Sequence, residues 1–260
     1  MFSKLMPFGR RSQPAQGAEG LVYVCQADQG PMQGATEGAV IRIPDRHPPW
    51  IVVNHDPGSV IVAKWPGRLW RVQIVDAATP MDQRAFGGAP LPHARYTRAV
   101  AVKVVREEDA SQLFGPGGKA ILPVLDAASN LVRSRAELLA SARHADAADA
   151  CDRLWRAWMQ EQGVPSDAFP KSLDGVLLLS TYGSPINDGL SVLHSVVFDR
   201  AKELDGDAAT ISDDEDIWLA PPWDAASTAL TDAALALGAP SWANSADREI
   251  LTQAWKTVYA

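Results

Sequence analysis

Near Arg106 the spacing of apolar residues changes from every second position to every third or fourth, and this switch constrains the fold more than any other feature of the chain. Before it, β-branched and aromatic runs occupy Leu21–Gln26, Ala39–Ile43, Trp50–Val53, Ser59–Trp65, Arg68–Val75 and Tyr96–Val105. Gly, Pro or Asp clusters separate them, as expected of strands closed by turns. In the fifth run Trp70, Val72 and Ile74 alternate with Arg71 and Gln73, the pattern of a sheet with one dry and one wet face. Pro66-Gly67 suits a type II turn, which predicts a hairpin between Ser59–Trp65 and Arg68–Val75 with Trp65 and Trp70 as neighbours across it.

Beyond the switch the spacing predicts helices. Ile121, Leu122, Val124, Leu125, Ala128 and Leu131 form a buried face despite Pro123, and Ser134-Arg-Ala-Glu137 has the form of a capping box that opens the next helix. Cys151, Leu154, Trp155, Trp158 and Met159 make one stripe. Val176–Ser180 reads as a short buried strand that would extend the first sheet. Asn187 or Asp188 then caps a helix with Leu190, Leu193, Val197, Ala201 and Leu204 on one face. Asp224 begins an Ala-rich helix through Leu237, and Ser245 to Tyr259 forms the last. The expected fold class is therefore α+β: an antiparallel β-sheet or partly closed barrel in the N-terminal half, packed against a helical C-terminal half. Residues 1–19 read as a mobile arm, 20–106 as the β-rich region and 107–260 as the mainly helical region, together one compact domain.

Composition narrows the function classes. With 260 residues, 47% hydrophobic and 21% charged, the chain can bury a core without staples, and Cys25 and Cys151 lack disulfide or zinc spacing. The first eleven residues have no continuous apolar region of the secretory kind, and no stretch is apolar enough to span a bilayer. A reducing, bacterial-type cytoplasm is the default compartment. The net charge of −7 argues against nucleic acid. Asp199, Glu203, Asp205, Asp207, Asp213, Asp214, Glu215 and Asp216 stand against only Arg200 and Lys202, so this one segment carries nearly all of that charge.

An acidic loop can hold calcium, but with Asp205 at the first ligand position Thr210 replaces the glycine of the sharp turn and Asp216 replaces the final glutamate. A docking surface for a basic protein partner fits better: Asp205, Asp207, Asp213, Asp214, Glu215 and Asp216 supply charge, and Trp218 and Trp223 are candidate aromatic anchors. Asp45, His47, His55 and Asp56 match no metal-ligand spacing. Ser191 and Ser184 lack a nucleophile elbow, and Gly115-Pro-Gly-Gly-Lys119 lacks the length and hydroxyl of a phosphate loop. No cofactor or metal is implied. The expectation is a non-catalytic protein-binding protein of the bacterial cytoplasm, of the immunity-inhibitor kind. The alternatives are a hydrolase assembled in three dimensions from His55, Asp56 and His194, or a structural component of a secretion assembly.

Overall fold

The computed structural model describes residues 16–26, 30–79, 82, 95–115, 117–161, 185–211, 217–238 and 241–259. The fold is α+β, with an antiparallel sheet closing into a four-stranded barrel and the helices gathered mainly in the C-terminal half. By Cα proximity the chain divides into two compact units: residues up to Val60 with Arg68–Glu108, and Ile61–Gly67 with Asp109–Ala260.

The first unit is built from β1 (Glu19–Cys25), β2 (Val40–Arg42), β3 (Ile51–Asn54), β4 (Gly67–Ala77) and β5 (Tyr96–Glu108). The thirteen-residue β5 organises it. One of its edges pairs first with β3, Ile51 opposite Ala99, and then with β2, Ile41 opposite Val102. Its other edge pairs with β4, and β1 joins β3 to β4 to complete the circuit. Register shifts in β4 at Arg71/Val72, Ile74/Asp76 and Asp76/Ala77 bend the strand, which a barrel of so few strands requires. Trp70, Val72 and Ile74 point into the core with Val53, Ala99, Val102 and Val104, while Arg71 and Gln73 are half-buried, as the alternation predicts.

Arg46 pins the barrel's outer loops from a left-handed backbone conformation, φ 53°, unusual for a residue other than glycine. Its guanidinium donates to Asp76 Oδ2 at 2.8 Å and to Asp82 Oδ2 at 3.0 Å, and its carbonyl accepts the Trp50 indole N–H at 3.0 Å.

The predicted hairpin before β4 does not form. Residues 60–66 carry no strand, although Val60 and Val62 are buried and Ile61 is exposed in alternation. The Trp65 indole donates to Asp126 Oδ1 at 2.7 Å and meets Phe114 edge-on at 6.0 Å, so the end of this run is committed to the helical unit. Trp65 and Trp70 therefore serve separate cores.

Six helices of the second unit lie among the described residues: α1 (Gly118–Ser129), α2 (Arg133–Ala142), α3 (Ala147–Glu161), α4 (Pro185–Asp205), α5 (Trp223–Gly238) and α6 (Ser245–Tyr259). A short antiparallel pair, β6 (Ala209–Ile211) and β7 (Ile217–Leu219), stands between α4 and α5. Helix α5 is the hub, touching α1, α2, α4 and α6. Eleven of its sixteen residues are buried, which its alanines permit on nearly every side. The α3 stripe of Cys151, Leu154 and Trp155 packs with Leu235 and Ala236 of α5 and Leu251 of α6.

Ser134 does not cap α2. The helix begins two residues earlier than that cap would set it, at Arg133 after Val132, without a side-chain cap, and Glu137 instead pairs with Arg133 one turn back at 3.3 Å. A reciprocal cap occurs at α6, where Asn244 Oδ1 accepts the Asp247 amide at 2.8 Å and Asn244 Nδ2 donates to Asp247 Oδ2 at 2.7 Å. Pro123 lies in the second turn of α1, because that helix starts at Gly118. The glycines before it serve close backbone approach. A Cβ at Gly117 would lie 2.2 Å from the Gly238 carbonyl oxygen at the end of α5, and one at Gly118 would lie 1.8 Å from the Ser111 carbonyl oxygen. The Val176–Ser180 strand lies outside the described residues.

This contact generates a prediction: Gly118→Ala forces backbone apart in the core of the helical unit and is expected to cost about 3 kcal/mol. Urea unfolding followed by circular dichroism measures it, and an unchanged midpoint would show that the approach is not tight.

Candidate functional site

The acidic segment begins where α4 ends. Asp205 is the last residue of α4, a turn spans Gly206–Ala208, and β6 follows at once. In the β6–β7 pair Ala209 is opposite Leu219, Thr210 opposite Trp218 and Ile211 opposite Ile217, and the Ala220 amide extends the ladder by donating to the Ala208 carbonyl at 2.8 Å. Ala208, Ala209 and Leu219 are buried. Thr210 and Trp218 face outward, and Trp218 is 55% exposed, an unusual position for an indole. This strand pair, anchored on its dry face, flanks the acidic run. Asp213, Asp214, Glu215 and Asp216 lie outside the described residues. Asp207 is exposed.

Two members of the expected docking set are engaged internally. Asp205 Oδ2 accepts from Arg133 Nη1 at 2.6 Å and from the Trp223 indole at 3.1 Å. Trp223 is completely buried, so it cannot serve as a surface anchor. The sequence places it beside the charged run, but it opens α5, a helix with eleven of its sixteen residues buried.

The histidines carry local bonds. His55 Nε2 lies 2.9 Å from Thr97 Oγ1 and its Nδ1 lies 3.3 Å from the Glu19 carbonyl, tying β3 to its two neighbours. Asp56 caps the turn at Pro57–Ser59 by accepting the Gly58 amide at 3.1 Å. His55 and Asp56 belong to the barrel unit and His194 to the helical unit. His194, on α4, places Nδ1 3.2 Å from Ser227 Oγ on α5. The Ser191 side chain lies outside the described residues. Spacing carries no signal for the His194–Ser227 pair, since the two residues stand 33 positions apart. Burial holds the His194 imidazole below its ordinary range, with Asp224 opposing weakly, so the ring is neutral where it packs. Ser227 is itself buried at 3% exposure, and this pair reads as an interhelical tie.

Other ionisable groups in the helical unit are structural in the same sense. Asp232 is buried and donor-paired through Arg143 Nε at 2.7 Å; burial nonetheless raises its carboxyl above the usual range. Burial and then the nearby Asp232 carboxylate push the Cys151 thiol up to about 12, which removes it as a nucleophile at neutral pH.

On the barrel unit, Val24, Cys25, Met32, Ala35, Arg68 and Trp70 line a depression of about 200 Å³. Arg68 lies 4.3 Å over the Trp70 ring and grips Glu107 with two nitrogens, at 2.9 and 2.5 Å. The space is smaller than the roughly 300 Å³ at which ordinary ligand pockets begin. Among the described residues no three His, Cys, Asp or Glu side chains gather as a metal site, and no helix is long and apolar enough to cross a membrane. Compared with known protein families, curated proteins and solved structures, the chain matches none.

The depressed His194 value fixes the sign of a pH effect. The unfolded imidazole takes up a proton more readily than the folded one, so the folded state is favoured fully above about pH 6.5 and loses that advantage as pH falls toward the folded value. Urea midpoints should fall between about pH 7.5 and 5.5 in the native protein, and His194→Gln should flatten that slope. An equal slope in both proteins would show that His194 does not titrate in this window.

Proposed function

We propose that the chain is a non-catalytic protein-binding protein which docks the acidic segment around β6 and β7 onto a basic partner, in the manner of an immunity-type inhibitor in the bacterial cytoplasm. The carrying observation is Trp218: its half-exposed ring stands on the outward face of a strand whose inward face is buried, directly after the acidic run. An aromatic anchor rimmed by like charges is the composition of an interface core with a steering field around it. The partner-facing set is therefore Asp207, Asp213, Asp214, Glu215, Asp216 and Trp218.

The reading is also supported by how the hydrolase candidates are used. His55 and Asp56 hold a strand and a turn, and His194 holds α4 to α5. A second copy of the chain is a poor occupant of the same surface, since it would set one acidic run against another.

Charge and aromatic contributions should separate kinetically. A partner captured from the native host and purified is expected to associate at least tenfold more slowly with the Asp213→Lys, Asp214→Lys, Asp216→Lys triple variant, with a weaker salt dependence. Trp218→Ala should mainly accelerate dissociation. Surface plasmon resonance reads both rates, and an affinity unchanged by the triple exchange overturns the docking proposal.

A further inference from the structure

The bonds of Asp205 assign it a role other than contact with a partner. Its Oδ2 receives two donors from two different helices: Arg133 Nη1 from the first turn of α2 at 2.6 Å and the indole N–H of Trp223 from the first residue of α5 at 3.1 Å. Three helix ends are thereby joined at one carboxylate oxygen, in a half-buried position where charge-assisted bonds are stronger than in open water. The β6–β7 pair is spliced into the chain between two of those ends, with only Gly206–Ala208 on one side and Ala220–Pro222 on the other. The Ala220 amide bond to the Ala208 carbonyl closes its base.

We propose that Asp205 is a positioning residue: with Arg133 and Trp223 it forms a clasp that fixes the base of the β6–β7 pair, so that Trp218 is presented on a preformed support. This deepens the docking reading and rests on it for its functional meaning. Each strand has three residues, too few to persist as an isolated hairpin in water. Ala208, Ala209 and Leu219 supply a small dry face, and the clasp supplies the orientation that so small a face does not. Preforming the support lowers the ordering cost of association. The negative charge of Asp205 is matched by Arg133, so it adds little to the steering field. The exposed carboxylate of Asp207 is the contrast within the same turn.

Hydrogen exchange of the free full-length chain tests the clasp without a partner. Asp205→Ala and Trp223→Phe, the latter keeping an aromatic ring but losing the donor, should each speed exchange at the paired amides of residues 209–211 and 217–220 at least tenfold. Exchange at Leu251–Ala254 in α6 should stay at the native rate. Asp205→Asn keeps an acceptor oxygen for the Trp223 indole and should restore part of the protection. Native protection of the strand pair in Asp205→Ala overturns the clasp, and so does a parallel rise at Leu251–Ala254, which would mean general destabilisation. Neither result bears on the rate loss expected of the lysine triple variant, so the clasp and the docking reading fail separately.

Discussion

The helical unit depends on the burial of α5 by four neighbours at once. A helix can be surrounded only if its side chains are short enough for the other axes to come close, and Ala226, Ala229, Ala233, Ala234 and Ala236 meet that condition. The cost is that such a helix offers little large apolar area of its own. Leu230 and Leu235 provide bulk, and the helices that touch it bury Ile121, Leu125, Leu139, Leu193 and Leu251. Each polar residue that α5 buries is then matched to one neighbour: Ser227 to His194 on α4, Asp232 to Arg143 just after α2. Its ends are matched too, Trp223 to Asp205 and Gly238 to Gly117 just before α1. Such pairings specify which helix lies where, something that alanine packing alone does poorly.

Two ion pairs show how environment decides what a carboxylate does. Asp232 and Asp247 both meet an arginine at short range, and the two have shifts of opposite sign. At Asp232 burial dominates and the carboxyl titrates above its usual range in spite of Arg143. At Asp247 the Arg153 hydrogen bonds dominate and lower it, assisted by Asn244. Asp247 therefore contributes stability that is present above the ordinary carboxylate range and lost as pH falls through its depressed folded value. Asp232 runs the other way, its ionised form being the costly one. The first serves as a latch between α3 and the cap of α6, and the second chiefly selects a partner for α5.

Much of the fold was legible because it depends on periodicity. The alternation in Arg68–Val75 marks β4, and the final helix runs over the residues its pattern assigns, Ser245 to Tyr259. What escaped depends on contacts remote in sequence. Ser59–Trp65 has a strand's alternation, yet Trp65 finds Asp126 sixty-one residues on, and a local pattern cannot encode that choice. Ser134 and Glu137 have the letters of a capping box, while the cap that forms uses Asn244 and Asp247, because capping depends on where tertiary packing starts the helix. In the candidate site, Trp218 and Trp223 look alike in sequence, five residues apart beside the same charges. One is open to solvent and the other is among the most buried side chains of the unit.

Under the docking proposal, that divergence separates two tasks within one short stretch of chain. Steering a partner requires charges that remain solvated and uncompensated, since a paired carboxylate has little field to project. Presenting an aromatic anchor requires a backbone that holds still, which in turn requires buried, satisfied bonds. One residue cannot do both. Along the segment the duties alternate: Asp205 is bonded, Asp207 is open, Ala208 and Ala209 are buried, Trp218 is open, Leu219 is buried and Trp223 is bonded again. Within the strand pair the period-two alternation supplies the division, with buried Ala209 and Leu219 beside outward Thr210 and Trp218, and the helix ends on either side supply the bonded Asp205 and Trp223. A helix in the same place would spread its inward positions along a stripe, and an unpaired loop would leave Trp218 without a fixed direction.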